Sequence, residues 1–222
     1  MRRVGLSALI GAWLVTGCSA LVSPSKYPPA PISTDPVVIR QAETEGAPTQ
    51  QQQRPFPLDQ VARIDALLLL ERDLLRLAPD IARIRWNDKA PIGNRDDDDA
   101  RTAAAMKLAV RYQIDPVFVR DVFTALTQAS NFAQSELHKQ WREQRRPPLL
   151  TLTRTPAQVQ SIMDGLVPRI VQALANAGPA LRTPGAYAMI EARAAEAMPS
   201  VSALAEPTRR RAIKPLLDRA AR

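Results

Sequence analysis

The sequence predicts an all-α protein. Alanine, leucine and arginine dominate, and only 8 of the 222 residues are glycine, a composition that favours helix. Apolar residues recur at steps of three and four through several long stretches. No alternating Val/Ile/Thr run of convincing length competes with that pattern. The hydrophobic fraction of 45% is enough for a core, while aromatics at 5% are sparse. The length suits one large domain or two small ones.

The chain opens with Met1-Arg2-Arg3 and the apolar run VGLSALIGAWLV, too short to remain as a spanning helix. It ends in Val15-Thr16-Gly17-Cys18, which resembles the lipobox of bacterial lipoproteins. The resemblance implies cleavage before Cys18 and lipid on that cysteine, giving a signal peptide over residues 1–18. The alternative is an ordinary signal peptide with an incidental cysteine. As the sole cysteine, Cys18 forms no internal disulfide and no metal cluster. Ser19 follows it rather than Asp, which in that family implies an outer-membrane lipoprotein facing the periplasm. Residues 19–57 are rich in Pro, Ser, Thr and Gln, cannot bury a core, and read as a flexible tether.

Leu58 to Trp86 reads as one long helix, with Val61, Ile64, Leu67, Leu68, Leu74, Leu75, Ile81 and Ala82 on its apolar side. Arg63, Asp65, Glu71 and Arg72 flank its greasiest stretch, so it is a buried helix and not a membrane span. Pro79 should kink it or mark its last turns. Lys89 to Asn94 is a loop by its Pro, Gly and Asn. Asp96 to Asp99 then open a helix, where four carboxylates complement the macrodipole. A divalent-cation site is the weaker reading, since consecutive helical residues diverge and no EF-hand spacing is present.

Asp115 is a good N-cap and Pro116 a good first residue for a helix reaching Trp141. Val119, Val122, Phe123, Leu126, Ala133, Leu137 and Trp141 form its core stripe. Ser130 and Gln134 lie within the stripe, four apart and on one face. Such buried polar groups either bond a neighbouring backbone or face a pocket. Beyond Arg146-Pro147-Pro148 the texture changes. Helices are expected from Thr155-Pro156 to about Ala177, from Gly185 to Met198, and from Pro207 to Arg222. Pattern alone leaves open whether residues 147–222 form a second domain or an extension packed on residues 58–146.

The formal charge is +8 and the pI about 10.3; removing Arg2 and Arg3 takes +8 to +6. That balance suits a solvated basic surface, an acidic envelope surface or a small dianion. The arginine clusters at 141–146 and 209–211 lack interleaved aromatic platforms, so nucleic acid is not expected as a partner.

Taken together, DIARIRW (80–86), Pro91-Ile92, IDPVFVRDVF (114–123), QASNFAQ (128–134) and Trp141 have a recognisable order and spacing. Over Leu58 to Trp141 the chain resembles the exported all-helical chorismate mutases, the gamma subclass. The resemblance implies a helical bundle with a long first helix and a C-terminal helical extension. It also implies isomerisation of chorismate to prephenate, a pericyclic rearrangement that needs no nucleophile, metal or organic cofactor. Such an enzyme holds a dicarboxylate in a compact shape and stabilises charge developing across the breaking C–O bond. The family often dimerises, so a homodimer is possible on resemblance alone; the membrane would be met through the lipidated N-terminus.

Carried over by position, Arg85 falls where the family has a lysine at the ether oxygen. Arginine keeps the charge but changes reach and shape. Gln134 matches the Gln/Glu beside it, making these two the catalytic candidates. Ser130 matches a hydroxyl that contacts a substrate carboxylate. The first-helix arginine clamp falls on Leu74, with Arg72 and Arg76 two residues to either side, about 200° around a helix. A two-residue deletion before Pro79 would bring Arg76 into line. The acid of the Pro-Ile loop becomes Asn94, and the arginine after it becomes Asp97; Arg95 or Arg101 could substitute. The second-half arginine falls near Gln160, with Arg154 and Arg169 nearby.

Two functions follow. One is a chorismate mutase with a rearranged site, in which Arg76, Asn94, Arg101 and Ser130 bind substrate. The other is a non-catalytic envelope lipoprotein on the same scaffold, binding another small anion or a protein partner. Arg76, Arg85 and Gln134 around one cavity would favour the first; Leu74 and Asp97 lining it would count heavily against it.

Overall fold

A computed structural model describes residues 56–149, 151–200 and 205–221. Cys18, the signal segment and nearly all of the tether lie outside them. Among the described residues there are seven helices and no strand: α1 Leu58–Leu75, α2 Ala78–Asn87, α3 Arg95–Arg111, α4 Pro116–Glu143, α5 Pro156–Leu181, α6 Ala186–Ala197 and α7 Glu206–Arg219. None of these helices is long and apolar enough to cross a membrane.

The stretch expected as one long helix is interrupted. Arg76 closes α1 and Leu77 forms a short turn, its N–H donating to the Leu74 carbonyl at 3.1 Å. Pro79 then sits in the first turn of α2, where a missing N–H costs no helical hydrogen bond. The proline therefore starts a new helix instead of kinking an old one. Phe56, at the end of the expected tether, is half-buried against the core.

Ile64, Leu67, Leu68 and Leu75 are fully buried along α1. Glu71, which sequence reasoning left among the polar flanks, is also fully buried. Neither of its carboxylate oxygens has a hydrogen-bond partner. Burial pushes its carboxyl up to about 8, because the charged form loses its hydration without compensation.

Asn94 caps α3 in extended conformation, and Asp96, Asp97 and Asp98 occupy the first turn, where the helix dipole favours them. The preceding Gly93 has φ +84°, and a Cβ there would meet the Asn131 amide of α4 at 3.4 Å. The loop thus passes close over α4. Asp115 accepts from the Val117 N–H at 2.9 Å and Pro116 opens α4, as the sequence predicts. The buried face of α4 drifts near its end. Leu137 is only half-buried, and His138 takes the inner position. Its Nε2 lies 2.8 Å from the Ala82 carbonyl of α2. Its ring meets Trp86 edge-on at 5.3 Å.

Thr155 starts α5 with a reciprocal capping box. Its hydroxyl accepts from the Gln158 N–H, and the Gln158 side chain accepts from the Thr155 N–H. The helix runs on past Ala177 to Leu181, through Pro168 and Pro179. Leu166, Ile170 and Leu174 of α5, Ile190 of α6 and Leu216 of α7 share one continuous core with α1, α3 and α4. The second half is thus packed on the first through a common interior. The basic α7 lies along α4, with Arg211 over the Phe132 ring at 3.8 Å and Arg219 over Phe118 at 4.4 Å.

Candidate functional site

A cavity of about 220 Å³ lies where α1, α2, α3, α4 and α5 meet. Its apolar wall comes from Leu74 of α1, Ile81 and Ile84 of α2, Phe123 and Leu126 of α4, and Val159 and Met163 of α5. The polar wall is built from Arg85, Asp97, Asp98, Arg101, Thr127, Ser130, Gln134 and Gln160.

Ser130 and Gln134 face this cavity from one side of α4, one helical turn apart. They form a chain with α2. Arg85 Nη1 donates to Gln134 Oε1 at 2.9 Å, and Gln134 Nε2 donates to Ser130 Oγ at 3.1 Å. Gln134 Nε2 also approaches Asn131 Oδ1 at 3.4 Å. Both amide hydrogens of Gln134 are therefore engaged within α4, and its oxygen is held by Arg85. In this arrangement Gln134 positions Arg85 rather than offering a donor of its own. Burial lowers the Arg85 pKa most, with Asp98 opposing that shift, Arg101 adding to it and Asp97 opposing it. A guanidinium stays charged through such a shift.

The acidic run at the start of α3 does more than cap. Asp97 and Asp98 lie on the cavity wall together with Arg101, because positions three and four apart share a helical face. Arg101 Nη1 donates to Asp98 Oδ1 at 3.0 Å, while its buried Nε has no partner. Asn94 is exposed and does not reach the cavity wall; its Nδ2 donates to Asp97 Oδ2 at 2.6 Å. The expectation that Asn94 contributes directly is corrected to a contact through Asp97.

Arg76 also fails to reach the cavity. The turn at 76–77 leaves Leu74 facing inward, while Arg76 is exposed on a separate groove with Arg154 and Arg169. Arg154 is held by Asp80, whose buried carboxylate takes Arg154 at 2.5 Å and Arg83 at 3.2 Å. From the second half of the chain, Gln160 stands at the wall, its amide donating to Asp164. Sequence reasoning missed Asp98 and Thr127 as wall residues. The i, i+3 spacing of Asp98 and Arg101 is the signal that could have revealed the first.

Two guanidiniums and two carboxylates give this wall a formal charge of zero. Ser130 Oγ is tied to an amide and His138 is engaged at Ala82, so neither forms part of a nucleophile–base pair. Among the described residues, no three His, Cys, Asp or Glu side chains group to hold a metal ion.

No protein-family model and no curated protein matches the chain. Solved structures do. It is similar to the chorismate mutase from Burkholderia thailandensis at 20% identity with a TM-score of 0.64, over 70% of this chain and 99% of that one. The chorismate mutase from Burkholderia phymatum gives 21% and 0.62, over 71% and 97%. The fold is that of a chorismate mutase, and the likeness extends beyond the Leu58–Trp141 stretch that carries the resemblance in sequence.

Proposed function

We propose that this chain is an exported lipoprotein that uses a chorismate mutase scaffold to bind a small polar molecule, without efficient turnover of chorismate. The observation that carries this reading is Leu74 and Asp97 on the cavity wall, where the family resemblance calls for arginines. A dianion bound here meets two carboxylates and finds no clamp from α1 or α5. Each lost preorganised donor costs on the order of 10²–10³ in rate, so two remove roughly 10⁴–10⁶. Anchorage through Cys18, a tether to residue 57 and a periplasmic position rest on the sequence.

A second reading, a slow chorismate mutase, is favoured by one feature. Arg85, Gln134 and Ser130 are hydrogen-bonded in series at positions matching the family's ether-oxygen and carboxylate contacts. Here Arg85 would stabilise the developing charge on the ether oxygen, Gln134 would hold Arg85 in place, and Arg101 would serve as the remaining carboxylate partner. Chorismate disappearance with protein beginning at Ser19, beside an Arg85→Ala, Gln134→Ala double variant, separates the two. We expect no turnover above the double variant. Turnover that the double variant abolishes would establish the mutase.

A further inference from the structure

Resting on the reading of this cavity as a small-molecule site, we infer that its ligand is a zwitterion with an apolar body, a molecule carrying one carboxylate and one ammonium on a hydrocarbon frame. The wall is divided by charge and by polarity. Arg101 Nε is buried and lacks an acceptor, although Nη1 of the same guanidinium is paired with Asp98. Arg85 is half-buried beside it and commits one nitrogen to Gln134. The guanidinium nitrogens of Arg85 and Arg101 that these two bonds leave uncommitted suit a carboxylate on the same wall. The same polar wall presents Asp97, with one carboxylate oxygen on Asn94, and Asp98, with one on Arg101. Those carboxylates suit an ammonium. The remaining surface, from Leu74, Ile81, Phe123, Leu126 and Val159, suits a hydrocarbon.

Charge balance excludes the simpler alternatives. A dianion would face Asp97 and Asp98 without enough cations to offset them. A monocation would face Arg85 and Arg101. A neutral apolar molecule would strip water from the charged wall and return no polar partner. A ligand with both charges matches a wall whose four charged groups sum to zero. The cavity of about 220 Å³ holds a body several times the size of a water, whose share of liquid volume is about 30 Å³.

The test is calorimetric titration of the full chain with two sets of probes. One is L-leucine, 4-methylpentanoate and 3-methylbutylamine; the other is L-phenylalanine, 3-phenylpropanoate and 2-phenylethylamine. Within at least one set the zwitterion should bind about ten- to a hundredfold more tightly than either single-charge analogue, the worth of one charge-assisted hydrogen bond. Asp97→Asn should narrow the gap to the carboxylate probe, and Arg101→Gln the gap to the amine probe, with helical circular dichroism unchanged in both. A carboxylate or amine probe that binds as well as the zwitterion overturns the inference and leaves a small-molecule site standing. No binding of any probe overturns it too. If chorismate is also turned over, the non-catalytic reading falls with it.

Discussion

Replacing Glu71 with glutamine should stabilise the protein by an amount that grows with pH. The folded carboxyl titrates near 8, against about 4.5 for an ordinary glutamate. Below pH 4.5 both folded and unfolded chains hold the proton, and burial imposes no proton-linked penalty. Between 4.5 and 8 the unfolded chain releases the proton while the folded chain retains it, so stability falls by about 1.4 kcal/mol per pH unit. The loss reaches about 3 kcal/mol at pH 7 and about 4 kcal/mol at pH 8, then levels off just below about 5 kcal/mol. Glutamine keeps the shape and an unpaired polar group but has no proton to lose. Urea midpoints for parent and Glu71→Gln at pH 5, 6, 7 and 8 should therefore diverge steadily, from near coincidence to a gap of several kcal/mol. Parallel curves, or a variant less stable than the parent at pH 8, would mean that Glu71 is ionised or satisfied in the folded protein, and the reasoning would fail.

Two further outcomes are expected. Asp80→Asn weakens a buried carboxylate that ties Arg83 and Arg154, and with Arg154 the approach to α5, to α2; it should cost about 2 kcal/mol in urea unfolding, the scale of a charged hydrogen bond. A loss below about 0.5 kcal/mol would show that the partly exposed arginines carry little of that link. Leu74→Arg with Asp97→Arg places two cations on the cavity wall, and should raise chorismate turnover at least a hundredfold over the parent; turnover that stays flat in a folded double variant would show that missing clamps are not what limits the site.

Much of this organisation is legible in the residues. Asp115-Pro116 marks the start of α4 because cap chemistry is local and needs no tertiary partner. The Ser130–Gln134 pair is legible for a similar reason, since helical spacing alone puts both on one face. The Arg76 assignment fails because it needs the path of the chain around Pro79. A deletion absorbed within a helix and a turn that ends it look alike in sequence, yet they place Arg76 about 200° apart. The carboxylates of α3 show a different ambiguity. The run satisfies the helix dipole whatever lies beside it, so its capping role hides the fact that Asp97 and Asp98 also line a cavity. Glu71 escapes notice because glutamate is rarely buried without a partner. His138 lies four residues after Gln134 and three before Trp141, while Leu137 lies three after and four before, so both share that helical face. Spacing alone leaves two candidates for the inner position, and the contacts with Trp86 and Trp141 go to His138.

That aromatic cluster makes the protein its own optical probe. Trp86 and Trp141 meet edge-to-face with centroids 5.6 Å apart, and the third tryptophan of the chain, Trp13, lies ahead of Ser19. In protein beginning at Ser19, all indole emission therefore comes from one spot on the α2–α4 seam, with the His138 imidazole against both rings. The indole fluorescence of that protein is consequently a local gauge of the α2–α4 seam, not an average over the whole fold.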